Sequence, residues 1–391
     1  MNEAGAPRTF VVVLAGLAAF LDLYATQPLL PLLARLFHAT RFAVSLTVTA
    51  TTVGVAIAAP GAGWLANRAG LRRVVVGSAA ALAGATLLAA TATTLPGLIL
   101  WRFVQGAVTP GLFATTVAYI HEEWPPARTG RATAAYVSGT VVGGVTGRLV
   151  SGLAASRVGW RSAFVALSAL GFAAAAALWR WLPAERRVRA GRDVRPAERR
   201  RLRTPQLLAT YGVGFLMLCT QVAMFTYVPF VLAAPPFSLS TAALGSIFLT
   251  YLVGAVITPF AGIGIDAYGH RRVLMSAVGL CAAGSVLTLI PSLPVLIAGL
   301  SFFASGVFFG QAASSSHVAR HAGADRTIAI GIYTTAYYVG GSVGGAAPSV
   351  LWTLGRWPAC VAFILAIEAA MLAVAWRFWE APRVEAGSAL Y

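Results

Sequence analysis

Runs of about 20 or more mostly apolar residues recur twelve times along this 391-residue chain, at 10–34, 44–66, 73–95, 97–120, 132–156, 161–182, 206–232, 240–265, 272–290, 294–317, 328–352 and 358–379. About 20 apolar residues, rising 1.5 Å each, cross the ~30 Å hydrocarbon core of a bilayer once. The chain is 58% hydrophobic and only 10% charged, with a mean hydropathy of +0.76, which is more apolar surface than one aqueous core can hide. These runs predict an all-α membrane protein with twelve transmembrane helices. They exclude a secreted, disordered or DNA-binding chain, and none of the alternating short segments of a β-barrel is present. The first run is too long for a signal-peptide core and is read as part of the mature protein.

The basic residues give the orientation. All 29 positive charges are arginines. With both termini cytoplasmic, 22 arginines fall on inside segments and five (Arg35, Arg41, Arg157, Arg161 and Arg356) on outside ones. The remaining two, Arg102 and Arg148, lie well inside runs. This is the bias of the positive-inside rule, so the net charge of +17 is a topology signal and calls for no nucleic acid.

The one long polar stretch, 183–205, divides the chain into six runs plus six: an N-terminal bundle over 1–183, an arginine-rich cytoplasmic linker over 184–205 and a C-terminal bundle over 206–391. The two parts repeat each other. GWLANRAGLRRV at 63–74 returns 199 residues later as GIGIDAYGHRRV at 262–273. Val142-Gly143-Gly144, sixteen residues before Trp160, returns 197 residues later as Val339-Gly340-Gly341, sixteen before Trp357. Two motifs in one register indicate duplication, and two facing bundles around a central cavity is a common layout of secondary transporters.

These residues resemble the major facilitator superfamily over nearly the whole chain, and within it the 12-span drug:proton antiporter branch. GWLANRAGLRR, with Gly63, Asn67, Arg68, Gly70, Arg72 and Arg73, is similar to that superfamily's loop signature between spans 2 and 3. Gly262, Asp266, Gly269, Arg271 and Arg272 form the second copy. LWRFVQG (100–106) resembles the span 4 signature, and LDLYATQPLLP (21–31) that of span 1. More narrowly, LYATQPLLPLLA, GGVTGRLVSG with GWR, and AYYVGGSVGG look like the YnfM group of bacterial inner-membrane exporters. The chain departs from the pattern at Asn67, where the family carries an acid, at Leu71 in place of a basic residue, and at Gly147-Arg148 in place of Gly-Pro.

Of twelve acids, only Asp22 and Glu368 fall well inside runs. A charge at the bilayer centre costs about 2.5–3.5 kcal/mol on insertion scales, so it normally faces a cavity or a partner. Asp22 lies roughly 18 Å deep and Arg102 roughly 8 Å from the outer end of its run, so the guanidinium can approach the carboxylate. A carboxylate whose proton affinity depends on which side the cavity opens makes proton entry and substrate exit exclusive events. The resemblance implies the same coupling role for Asp22 and Arg102; the alternative is a permanent pair that only locks helices. Glu368 is read as a tolerated acid facing lipid or a neighbouring helix. Arg148, roughly 25 Å from the inner end of its run, is read as a structural residue able to snorkel to the outer interface, with contacts at the outer gate as the alternative.

Tyr24, Gln27, Gln105, Gln221, Tyr227, Gln311, Tyr337 and Tyr338 lie on runs that line the cavity in the family. As a set they suit flat or amphipathic organic molecules. Gly143, Gly144, Gly147, Gly340, Gly341, Gly344 and Gly345 have the spacing of close helix contacts, expected between the fifth and eighth and between the eleventh and second runs. No strand and no Gly-Lys-Ser accompany them, so they are not phosphate loops. Neither the histidines nor the cysteines have metal-ligand spacing.

The sequence therefore reads as a non-enzymatic, multi-pass exporter of the bacterial inner membrane. It is expected to be monomeric, to bind small hydrophobic or amphipathic substrates, and to need no cofactor beyond a proton gradient. A transporter of one metabolite and a transport-inactive receptor or scaffold are the alternatives.

Overall fold

A computed structural model describes residues 9–185, 202–322 and 326–379. Most of the arginine-rich linker, 186–201, lies outside the described residues. Within them the chain is helical, in the order α1 (Thr9–Leu21), α2 (Leu30–Leu36), α3 (Arg41–Ala69), α4 (Leu71–Ala90), α5 (Leu95–Glu123), α6 (Pro126–Arg157), α7 (Trp160–Trp181), α8 (Pro205–Leu232), α9 (Thr241–Ser246), α10 (Thr250–Leu287), α11 (Leu293–His321), α12 (Arg326–Ala346) and α13 (Pro348–Phe378).

Each predicted run falls mainly on helix, the first broken by turns at 22–26. Among the described residues, eight helical stretches are long and apolar enough to cross a membrane, with α9 and α10 counted together. The helix α10 carries two runs, because Gly269 breaks it with φ 80° and ψ 161°. The helix α13 breaks likewise at Gly355 and Arg356, separating the end of the eleventh run from the twelfth. Side-chain caps mark several starts: Thr40, Thr94, Thr204 and Ser240 each accept a backbone N–H of the first turn. Proline opens α5, α8, α11 and α13, where its missing N–H costs nothing.

The duplication read from the sequence reappears in packing. At Gly143 and Gly147 of α6 an added Cβ would strike the backbone carbonyls of Leu17 and Leu21 of α1; at Gly340 and Gly344 of α12 it would strike those of Phe215 and Cys219 of α8. These glycines thus join helices within each half, which corrects the expectation that they join the halves. Residues four apart share one helix face, and here that face lies against a neighbour's backbone. Contact between the halves falls at Gly345, which abuts Thr49 of α3 as expected between the eleventh and second runs, and at Gly152 and Gly245, which meet backbone to backbone. Arg161 donates to the Ala92 carbonyl at 2.9 Å, and its repeat neighbour Trp357 donates through Nε1 to the Thr288 carbonyl at 3.2 Å.

Among the described residues, the hydrogen bonds between the halves fall on one side. The Thr52 and Ser342 hydroxyls meet at 2.9 Å, those of Tyr227 and Ser45 at 3.3 Å, and the Arg41 guanidinium lies 4.8 Å from the Trp352 ring centre. All of these lie between mid-depth and the arginine-poor ends of the helices. From Thr52 along α3 toward Ala69, no hydrogen bond joins the halves among the described residues. The hydrogen-bonded seam that closes the bundle lies on the arginine-poor side; toward the arginine-rich side the halves meet through the rings of Phe113 and Tyr338.

Candidate functional site

The first run is not one helix. Asp22–Thr26 form turns and Gln27–Leu29 a single 3₁₀ turn before α2 begins. Pro28 has no N–H to offer the Tyr24 carbonyl, so the backbone tightens: Gln27 N–H donates to Tyr24 at 3.1 Å and Ala25 N–H to Asp22 at 3.2 Å. That leaves acceptor capacity at mid-depth, and Arg102 of α5 fills it. Its Nη1 donates to the Asp22 backbone carbonyl at 2.8 Å and its Nη2 to that of Leu23 at 2.7 Å. Its Nε donates to the Thr47 carbonyl at 3.2 Å, and Nη1 also reaches Gln105 Oε1 at 2.5 Å.

Arg102 and Asp22 are therefore adjacent, but the guanidinium holds the backbone of Asp22 and not its carboxylate. The carboxyl is only 2% exposed, faces Thr86, and leaves Oδ1 with no hydrogen-bond partner. Gln105, expected in the cavity, is wholly buried inside the first half, where its Nε2 donates to Thr86 Oγ1 at 2.8 Å.

A second buried cation sits where the halves meet. Arg148 of α6 is 3% exposed. This corrects the expectation that it snorkels outward: its face of α6 looks into the protein. Its Nε donates to Gln27 Oε1 at 2.8 Å and its Nη1 to the Gly144 carbonyl at 2.7 Å. Three rings surround it, with centres 5.0 Å (Tyr24), 4.7 Å (Phe248) and 5.0 Å (Tyr251) from the guanidinium carbon. Gln27 passes the contact on to Thr226 Oγ1 at 3.3 Å. Gln221 donates to the Tyr251 hydroxyl at 3.2 Å and accepts from Tyr337 at 3.3 Å. Tyr338 stacks on Phe113 of the other half at 6.1 Å.

The structure thus brings Tyr24, Gln27, Gln221, Tyr337 and Tyr338 together around mid-depth. It places Tyr227 in the closed seam, where its hydroxyl contacts Ser45 and donates to the Gly345 carbonyl at 3.0 Å. Gln311 is half-buried on α11 and makes no side-chain hydrogen bond among the described residues.

The loop motifs act within their own halves. Arg72 donates to the carbonyls of Leu182 (2.7 Å) and Trp179 (2.6 Å) at the end of α7, while its N–H donates to Glu185 Oε2 at 3.2 Å. Glu185 stands at the start of α4, where the helix dipole favours an anion. Asn67 and Gly70 line the same recess; Arg68 lies over Trp64 at 4.4 Å. In the second copy, Arg271 lies over Trp376 at 3.7 Å, with Gly269 supplying the break before it. Beside it, His270 contacts Ser316 at 3.0 Å; partial burial, with Arg320 and His321 nearby, holds its imidazole below the usual range. His317 stacks between Trp379 and His321. No group of three ligating side chains able to hold a metal occurs among the described residues.

Glu368 is 2% exposed beside Cys281 and Ser285, with neither carboxyl oxygen hydrogen-bonded. It faces a neighbouring helix, α10, within its half, the second of the two settings expected for it. The aromatic setting of Arg148 escaped the sequence reading too; its only sequence sign was an arginine in place of proline after Gly147.

Comparisons with known proteins agree with this architecture. The chain is 32% identical over 361 residues to an uncharacterized MFS-type transporter, YybF, of Bacillus subtilis, covering 91% of this chain and 89% of the relative. It is 31% identical over 371 residues to the inner membrane transport protein YnfM of Escherichia coli, covering 93% and 89%. Among solved structures, it superposes on a bacterial homolog of the human lysosomal transporter Spinster, in an inward-facing and occupied conformation, with a TM-score of 0.76 at 16% identity, covering 95% of this chain and 96% of that one. A D-xylose-proton symporter gives 0.75 at 17%, with the same coverage of both chains. The sequence pattern of one family matches residues 12–255 and 213–390, so this multi-pass membrane transporter belongs to the Major Facilitator Superfamily.

Proposed function

We propose that the protein exports hydrophobic or amphipathic organic compounds from the cytoplasm in exchange for protons, by alternating access. The observation that carries the reading is the Asp22 carboxyl: buried near mid-depth, with Oδ1 unpartnered, beside a guanidinium whose donors go to backbone carbonyls. A carboxylate fully engaged in an ion pair would hold its charge; one left without such a partner is free to exchange a proton.

The geometry links that proton to the cavity. Asp22 sits at the break in the first run, and Tyr24 and Gln27, from the same irregular segment, contact Arg148. A change of charge at Asp22 alters the pull on the Arg102 clamp, and with it the segment carrying Tyr24 and Gln27. With the arginine-poor side closed, compounds enter from the cytoplasm; proton binding from the opposite side accompanies release there.

The test is a pH-jump efflux assay in proteoliposomes loaded with aromatic dyes of anionic, neutral and cationic type. Efflux accelerated by an inward proton gradient, and lost in Asp22→Asn, is expected. Equal efflux with and without the gradient would overturn the reading.

A further inference from the structure

We propose that Arg148 anchors a negatively charged group of the transported compound, so that the cavity takes amphipathic organic anions: an aromatic or apolar body bearing a carboxylate or sulfonate. This rests on the export reading above and names the substrate class it leaves open.

The argument starts from a contrast between two buried arginines. Arg102 fills its donors with three backbone carbonyls and a glutamine oxygen. Arg148 makes two hydrogen bonds, through Nε and Nη1, and its Nη2 makes none among the described residues. Neither acceptor is a carboxylate. A guanidinium carries five N–H donors and does not lose its proton in proteins, so a full positive charge is held at the meeting of the halves with no carboxylate partner among the described residues. Burying a charge unpaired is costly. The ring faces of Tyr24, Phe248 and Tyr251 offset part of that cost, but they do not neutralise the charge. An arriving anion does.

The surroundings specify the rest of the ligand. Tyr24 lies within electrostatic reach of Tyr251, Tyr338 and Arg148, and Tyr337 within reach of Tyr24, Tyr251 and Tyr338. The phenols of Tyr24 and Tyr251 therefore stand beside the guanidinium, with Tyr337 and Tyr338 next to them, and the rings offer flat apolar surface to the body of the ligand. The cage draws on both halves: Tyr24, Gln27 and Arg148 from the first, Phe248 and Tyr251 from the second. Parting the arginine-poor side withdraws Phe248 and Tyr251 and admits water. The same charge that attracts an anion strongly in the dry closed state attracts it far less once screened, so uptake and release follow from one residue changing its surroundings.

The test compares three matched probes, 2-naphthoate, 2-naphthamide and 2-naphthylmethylammonium, binding to the purified full-length protein in nanodiscs, for the natural sequence, Arg148→Lys and Arg148→Gln. The natural protein is expected to bind naphthoate at least about tenfold more tightly than the other two, a difference of about 1.4 kcal/mol. Arg148→Gln is expected to erase that preference and Arg148→Lys to keep part of it, with melting temperatures checking the fold. Absence of a preference for the anion in the natural protein, or an unchanged naphthoate-to-naphthamide ratio in Arg148→Gln, overturns the proposal. Should Arg148→Gln fail to fold, the preference of the natural protein decides alone. Binding is read without any proton gradient, so loss of proton-driven movement with anion preference intact would sink the export reading and leave the anion site standing.

Discussion

Gln27 of the first half donates to Thr226 of the second at 3.3 Å, and the two positions are 199 residues apart, the offset at which the loop motif repeats. The contact joins equivalent helices across the pseudo-symmetry of the duplication, on the closed side of the cavity. It also ends a chain that begins at Arg148, since Gln27 accepts from Arg148 Nε with its other side-chain atom. Replacing Thr226 by Val removes one such bond at nearly constant volume. A net hydrogen bond is worth about 1 kcal/mol, so Thr226→Val should shift the balance toward opening of the arginine-poor side about fivefold. Spin-label distances between α3 and α12 on that side would report it.

The Arg102 clamp and the Asp22 carboxyl separate by stability. Arg102→Met removes donors from three buried carbonyls and from Gln105. Unsatisfied buried acceptors cost about 1–3 kcal/mol each, so a loss of at least about 3 kcal/mol is expected. Asp22→Asn leaves those bonds in place and should fold with near-natural stability. Thermal melts in nanodiscs check the pair; equal destabilisation by both would mean an ion pair that the geometry does not contain.

The two α-helical seams carry glycines for lack of room. Gly147→Ala and Gly344→Ala each place a methyl against a backbone carbonyl, of Leu21 and Cys219 respectively, whereas Gly63→Ala and Gly262→Ala meet nothing within 4 Å. Overpacking of this kind costs about 1–3 kcal/mol. Yield of folded protein and melting temperature should fall for the first two and hold for the second two.

Much of this was legible in the sequence, for reasons of spacing. Run length, the arginine bias and the repeat offset depend only on position along the chain, and they located the halves, the loops and the neighbourhood of Asp22 and Arg102. What escaped depends on rotation about a helix axis. Depth along α6 put Arg148 within reach of the outer interface, yet its direction into the protein is set by the glycine face of α6 packing on α1. The choice between lipid and a neighbouring helix for Glu368 stayed open for the same reason, because its inward direction depends on how α13 packs on α10. The break at Asp22 had a visible sign in Pro28 and Pro31; the guanidinium that stabilises it came from another helix.

His270 gives a pH dependence outside the membrane. Burial and the neighbouring Arg320 and His321 lower its proton affinity in the folded state, Asp266 opposes this, and His317 and Ser316 also face it. The unfolded chain then binds the proton more readily, so stability is lost as pH falls from the ordinary imidazole range. Melting temperature should drop between pH 7.5 and 5.5, and His270→Gln should lessen that drop. An identical drop in both proteins would assign the effect elsewhere.

The central claim is that the Asp22 carboxyl carries the transported proton. The most direct measurement loads proteoliposomes with the pH dye pyranine, imposes a gradient of 2-naphthoate and follows lumenal pH. The natural protein should move protons against the flow of the probe, while Asp22→Asn, folded and still binding the probe, should move none. Undiminished proton counterflow in Asp22→Asn would contradict the account.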